Sequence, residues 1–302
     1  MIEKFTFSSR FPLAIGTILL AIFLFDVQGV MIKHMGSRYP VEQIAFFRNL
    51  FGLLPSLLVL YLSREWRDRE MRWRISPWTL ALGRGLMLIV AQMCLYHALA
   101  NMQLATATTL VFAGPFFVTL LSIPLLGHRV GWWRSMAVAL GFLGVILIMR
   151  PGSDAFAMVA LLPITAALFY ALSSLSSRFF DKTVPTALIS IYSSMAAMFA
   201  AALLIVLLDR AVVMNSWQDW LWFVSMGTCG GFAVLLLITA YRMADPSSLS
   251  PFEYFGIPFS FALGWIFFRE APFESLFPGV LLIVGGGLMV IWRERTLKQL
   301  PS

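Results

Sequence analysis

Runs of mostly apolar residues, separated by short polar connections, follow one another along the whole chain. Each is about 20 residues long, the length an α-helix needs to cross about 30 Å of hydrocarbon. The pattern predicts ten membrane-spanning helices, at 12–34, 41–62, 77–99, 104–126, 131–149, 155–177, 184–208, 217–241, 247–269 and 274–292. The longest connection, Ser63 to Ser76, reads SREWRDREMRWRIS. The others are punctuated by Gly36 and Pro40, Pro151-Gly152, Asp181 to Pro185 and Asp245-Pro246. The first run follows Lys4 and Arg10, as a signal peptide would. It is longer than such an apolar region and no A-x-A-like site follows it, so we expect a retained first helix.

Ten crossings place both termini on one side. The tails and the even-numbered connections carry 15 Lys and Arg residues, against 5 in the odd-numbered connections. Positive charge resists translocation, so the richer side and both termini are expected in the cytoplasm. Each half then has an odd number of spans, which inserts the second half upside down relative to the first. A shift of 142 residues aligns Trp78 with Trp220, Gly85 with Gly227, Ala98 with Ala240, Gly114 with Gly256 and Gly144 with Gly286. The expected fold is therefore an all-α membrane protein of two inverted five-helix repeats, residues 1–150 and 151–302.

Composition agrees with lipid as the solvent. The chain is 60% hydrophobic and 12% charged, against about 25% charged in soluble domains. The 15 prolines and 21 glycines suit helices whose freed backbone groups are satisfied by neighbours. The net charge of +7 sits in short caps rather than one stripe, so nucleic acid is not an expected partner; the bilayer is. Cys94 and Cys229 lie inside apolar runs and offer neither a disulfide framework nor metal-ligand spacing. The tryptophans near span ends, such as Trp66, Trp78, Trp217 and Trp220, fit interfacial anchors.

Several stretches carry a family resemblance. They are DVQGVMIKHMGSRYPVEQIAFFRN from Asp26, LGRGLMLIVAQMCLYHALANMQLATATTLVFAGPFF in the third and fourth spans, and LLGHRVGWWRSMAVALGFLGVILIMRPG after them. The second half adds SLSPFEYFGIPFSFALGWIFFREAPFESLFPGVLLIVGGGLMVI. In order and spacing they resemble the drug/metabolite transporter superfamily, in its ten-helix branch of two EamA-type halves, over nearly the whole chain. Two positions depart from the family pattern: Arg269-Glu270 where Gly-Glu is usual, and Gly127-His128. Asp26, Lys33, Arg48, Arg84 and the SPFEY segment look most like a branch of S-adenosylmethionine and riboflavin carriers. The resemblance implies a central cavity lined by helices one, three, four, six, eight and nine.

Four ionisable residues lie at bilayer depth, where a charge costs at least about 2.5–3.5 kcal/mol. Asp26 and Arg48 are each about 10–12 Å from the outer ends of their spans. Arg84 and Glu253 are each about 10 Å inside the cytoplasmic ends of theirs. Matching depths predict two pairs, Asp26–Arg48 and Arg84–Glu253, the second bridging the halves. Snorkelling or a structural pin between helices is the competing role. Gln92 and Tyr96 share a face of the third span; Tyr170, Ser173, Ser174 and Ser177 form a stripe on the sixth; Ser250, Glu253, Ile257 and Ser260 share a face of the ninth. Tyr96, Tyr170 and Tyr254 can stack on a flat ring, while the serines also serve close helix packing. Gly114-Pro115 and Gly256-Ile257-Pro258 interrupt corresponding spans of the two halves, a pointer to where a transporter bends or binds, or else a fixed kink.

His34, His97 and His128 are spread over two membrane faces, and HExxH, P-loop and nucleophile-triad patterns are absent from the sequence. No metal, cofactor or enzymatic activity is expected. The expected function is a secondary transporter in the cytoplasmic membrane that moves a small organic metabolite by alternating access, its substrate resembling S-adenosylmethionine or riboflavin. An exporter of amino acids, a metallophore or drugs is the alternative within the class; a non-transporting membrane scaffold is the alternative outside it.

Overall fold

Within hydrocarbon every backbone N–H and C=O must find a partner inside the chain, so apolar runs fold as helices. The computed structural model describes residues 11–63, 66, 73, 75–126, 132–149, 158–176, 179–181, 184–214, 216–243, 252–271, 273–286 and 288–289. Its helices are α1 (Phe11–Gly36), α2 (Val41–Leu62), α3 (Trp78–Asn101), α4 (Leu104–Val111), α5 (Gly114–Leu126), α6 (Trp132–Met149), α7 (Leu161–Ser176), α8 (Thr186–Leu207), α9 (Trp217–Met243), α10 (Gly256–Phe268) and α11 (Phe273–Leu276). Residues 279–286 form a further helical stretch. Among the described residues there is no strand, and six helices are long and apolar enough to cross a membrane: those of α1, α2, α3, α8, α9 and the segment Met158–Ser176. The protein is an all-helical, multi-pass membrane protein. Ser177, Ser250 and His128 lie outside the described residues.

Two of the expected spans are interrupted, and for one reason. The 104–126 span is two helices, α4 and α5, parted by a turn at 112–113. Pro115 has no N–H for the carbonyl of Val111, four residues earlier, and α4 ends at that residue. In the 247–269 span a turn occupies 254–255 and α10 begins only at Gly256. Pro258 likewise removes the donor for the Tyr254 carbonyl, which instead accepts a tighter bond from the Ile257 N–H at 3.1 Å.

The helices close into a ring. In order of contact, α1 packs on α9, α9 on α2, α2 on α8, α8 on α3, α3 on α7, α7 on α4 and α5, α4 on α10, and α10 on α1. Every neighbouring pair in this circuit joins a helix before residue 150 to one after it. The two parts of the chain are thus interleaved, not laid side by side. Lipid supplies no hydrophobic attraction between helices, so such seams depend on close approach of small residues. Gly227 of α9 shows how close. A Cβ there would meet the Arg48 carbonyl at 3.2 Å and Cβ of Phe51 at 2.5 Å.

The end of α10 fixes a functional side chain. Arg269 has φ of 59°, the left-handed conformation that glycine adopts most easily at a helix C-terminus. Its N–H donates to Trp265 O, and that of Glu270 donates to Gly264 O, both at 3.1 Å. The usual glycine of the family pattern therefore has a backbone reason here, and the arginine tolerates strain of about 1 kcal/mol.

Two stability changes follow. Gly227→Ala should destabilise the protein by about 1–3 kcal/mol through overpacking. Arg269→Gly should stabilise it by about 0.5–1 kcal/mol. Thermal unfolding in detergent measures both, and an unchanged Gly227→Ala midpoint would contradict the tight α9–α2 seam.

Candidate functional site

The two helix interruptions meet. The rings of Phe112, in the α4–α5 turn, and Tyr254, in the turn before α10, lie with centroids 5.7 Å apart. Against them sits Asp26 of α1, 5% exposed. Its Oδ2 is buried with no hydrogen-bond partner among the described residues. Gly256 makes this junction possible: a Cβ there would come within 2.8 Å of the Phe112 ring, 3.2 Å of the Ile22 side chain and 3.4 Å of Asp26 Oδ2. Asp26, Phe112, Tyr254 and Gly256 thus belong to one neighbourhood, where a carboxyl faces the first turn of a helix. Gly114 begins α5 beside the turn, with Pro115 as its second residue, and Pro258 is exposed on α10.

A second polar cluster joins α2 and α3. Asn49 is fully buried and Gln92 nearly so. The Asn49 amide donates to Gln92 Oε1 at 2.7 Å and to the Ala45 carbonyl at 2.9 Å, while Gln92 Nε2 donates back to Asn49 Oδ1 at 3.3 Å. Arg48 Nη1 donates to the same oxygen at 3.2 Å. Arg48 shares its helix face with the buried Ile44, Ala45, Gly52 and Pro55, so it points into the bundle. Tyr96 and Tyr170 lie within electrostatic reach of its guanidinium. The structure brings Arg48, Gln92, Tyr96 and Tyr170 together and adds Asn49.

Neither expected ion pair forms. Among the described residues no ion pair links Asp26 to Arg48, because α9 packs on both α1 and α2 and holds them apart. Equal depth along the membrane normal did not make them lateral neighbours. Arg84 donates to the Ser173 carbonyl of α7, which also accepts from the Ser176 hydroxyl. Its link therefore runs from α3 to the α7 main chain, and no described ion pair joins it to Glu253. On α7, Ser173 is buried while Ser174 is exposed, so the serine stripe divides between two environments. Glu253 is half-buried beside Tyr254.

At one end of the ring lie three ion pairs, and each crosses from the first half of the chain to the second. Lys33 Nζ meets Glu270 Oε1 at 2.7 Å, with side-chain exposures of 12% and 21%. Lys33 also donates to the Met102 carbonyl at 2.5 Å and lies over the Phe268 ring. Glu270 Oε2 accepts from the Leu104 N–H at 3.0 Å, at the N-terminus of α4. The others, Arg38–Asp219 at 3.9 Å and Arg210–Glu42 at 3.4 Å, have arginines more than half exposed. Exposed pairs contribute about 0–1 kcal/mol, so the sheltered Lys33–Glu270 clasp dominates. Gln43 adds a reciprocal pair with the Val212 main chain, donating at 2.9 Å and accepting at 3.0 Å. Among the described residues no three of His, Cys, Asp and Glu gather as a metal would require.

The profile of the EamA-like transporter family matches residues 12–150 and again 157–292. The chain belongs to this family. This EamA-like transporter moves small molecules, as its named relatives do. It is 26% identical to an S-adenosylmethionine uptake transporter of Rickettsia prowazekii, over 92% of each chain. It is 28% identical to a pseudopaline exporter of Pseudomonas aeruginosa, over 90% of this chain and 91% of that one. It is 30% identical to a riboflavin transporter of Rhizobium johnstonii, over 89% and 86%. A solved crystal structure shares the fold with a TM-score of 0.65, at 20% identity and over 96% and 99% of the two chains.

Asn49 was absent from the residues singled out by sequence, though an amide within an apolar run is itself a signal. The two amides of this EamA-like transporter should act as a unit. Gln92→Leu strands the Asn49 amide and should cost about 1–3 kcal/mol, whereas adding Asn49→Leu should recover part of that loss. A double-mutant cycle on thermal unfolding should give a coupling of about 0.6–2 kcal/mol; zero coupling would mean that the amides are held independently.

Proposed function

We propose that this transporter is a secondary carrier of the cytoplasmic membrane, with ten spans in two inverted repeats, 1–150 and 151–302, and both termini cytoplasmic. It moves a small organic metabolite by alternating access and catalyses no covalent reaction. The observation that carries this reading is the meeting of the two proline-made interruptions, one from each half, beside a buried carboxyl. Irregular backbone at membrane depth persists where it lines a site or a moving joint. The interleaved ring supports the reading too, because any shift of one half against the other changes every seam at once.

On this reading the three cross-half ion pairs close the outer side. The ends of α1, α3 and α10 meet there, and the loops that carry them are poor in basic residues. The residues assigned to binding or gating are Asp26, Arg48, Arg84, Gln92, Tyr96, Tyr170, Ser174, Glu253 and Tyr254, with Gly114, Pro115, Gly256 and Pro258 as the joints. Lys33 and Glu270 join them as the outer clasp. The uptake and riboflavin relatives favour S-adenosylmethionine-like or riboflavin-like substrates. The pseudopaline relative supports an export direction as the second reading, which the same architecture accommodates by running the cycle in reverse.

Two measurements test this. Purified protein in liposomes should accumulate labelled S-adenosylmethionine or riboflavin above protein-free controls; absence of flux for every metabolite offered, including amino acids, would remove the carrier reading. Glu270→Gln should loosen the outer clasp. In a Cys229→Ser background, Cys94, which lies near Tyr170, should then react about tenfold faster with an impermeant thiol reagent added outside, if the clasp contributes about 1.4 kcal/mol. An unchanged rate would deny Glu270 a gating role.

A further inference from the structure

Several carboxylates among the described residues have partners or settings away from Arg48. Glu42, Asp219 and Glu270 are engaged in the ion pairs at one end of the ring, and Asp26 faces Gly256. Arg48 has no anionic partner among the described residues. Of the five N–H donors of its guanidinium, one is used, on the neutral amide oxygen of Asn49. Its Nε is buried without a partner. Arg48 is half-buried, and an arginine held at this depth without a charged partner is costly.

Its setting is nevertheless built. Asn49 is fixed by Ala45 and Gln92, so its oxygen anchors one corner of the guanidinium while the Nε N–H is left without a hydrogen-bond partner. The Nε edge is the one that grips a carboxylate side-on through two parallel bonds. Tyr96 and Tyr170 lie within electrostatic reach of the guanidinium, and neither supplies negative charge at neutral pH.

We propose that Arg48 binds a free carboxylate of the transported molecule, with Asn49 and Gln92 as positioning residues and the two tyrosines beside the remainder of the ligand. The proposal rests on the carrier reading and narrows it: the substrate class is organic acids and amino acids, including those attached to a flat ring. A neutral flavin would leave the guanidinium unpaired.

The test uses the full chain in lipid nanodiscs, with S-adenosylmethionine, its decarboxylated form and riboflavin as probes. Wild-type protein should bind the carboxylate form about 10–100-fold tighter than the decarboxylated form, the range for a charged hydrogen-bonded pair. Arg48→Gln should erase that preference without a matching loss in thermal stability. If Arg48→Gln does not fold, Gln92→Glu serves instead: a carboxylate supplied by the wall claims the guanidinium, keeps the fold and lowers S-adenosylmethionine affinity by a similar factor. Equal binding of the two forms, a preference that survives in the variants, or failure of wild-type protein to bind S-adenosylmethionine overturns the carboxylate site. Riboflavin flux into proteoliposomes in that last case leaves the carrier reading standing, whereas silence toward all three compounds and amino acids counts against the carrier itself.

Discussion

Hydrocarbon gives two helices no reason to prefer each other over lipid, so this fold depends on how closely its backbones can approach. Where α9 meets α2, the absence of a side chain at Gly227 lets one main chain lie on the other. Gly85 does the same for α3 on α8, where an added Cβ would meet the Ser193 carbonyl at 2.6 Å. Dispersion between such surfaces is weak atom by atom and adds up only when the fit is continuous. The ring of helices follows from a chain whose two parts present most of these furrows to each other.

That constraint also explains where polarity is allowed. A polar side chain between close-packed helices must be satisfied by its neighbour, because no water competes for it. The Asn49–Gln92 exchange meets the requirement within the bundle, whereas the Arg84–Ser173 contact meets it in part, through a main-chain carbonyl, and leaves Arg84 Nε and Ser173 Oγ without a partner among the described residues. Asp26 and Arg48 depart from it, and they occupy two distinct neighbourhoods, one at the junction of the broken helices and one between α2, α3 and α7. Buried groups left without a hydrogen-bond partner, among them also Arg84 Nε, Thr106 Oγ1 and Ser173 Oγ, are where a transporter has capacity left for a ligand or for a second conformation.

Much of this was legible in the residues. Apolar run length located the helices, and Pro115 and Pro258 located the breaks to within a few positions, because a missing N–H has a fixed address four residues upstream. The departure at Arg269 from the family's glycine was visible, but its left-handed conformation was not. Partners were not legible. Asp26 and Arg48 share a depth but not a seam, since lateral order in a bundle comes from surface fit that no local pattern encodes. The clasp of Lys33 and Glu270 joins residues far apart in sequence, and the same lysine counted toward orientation and the branch resemblance without revealing its partner. Asn49 went unremarked beside the more conspicuous arginine that it anchors.

Interleaving has a consequence for the history and the handling of this polypeptide. Most of the flank that a helix of one half buries is provided by the other half, so a cut in the connection near residue 150 would yield two pieces with mutually dependent surfaces. Such pieces would behave as an obligate heterodimer, each insoluble in its own company. A gene that once encoded a self-pairing subunit could be fused without changing a contact, but after its two copies diverged along these seams it could no longer be parted.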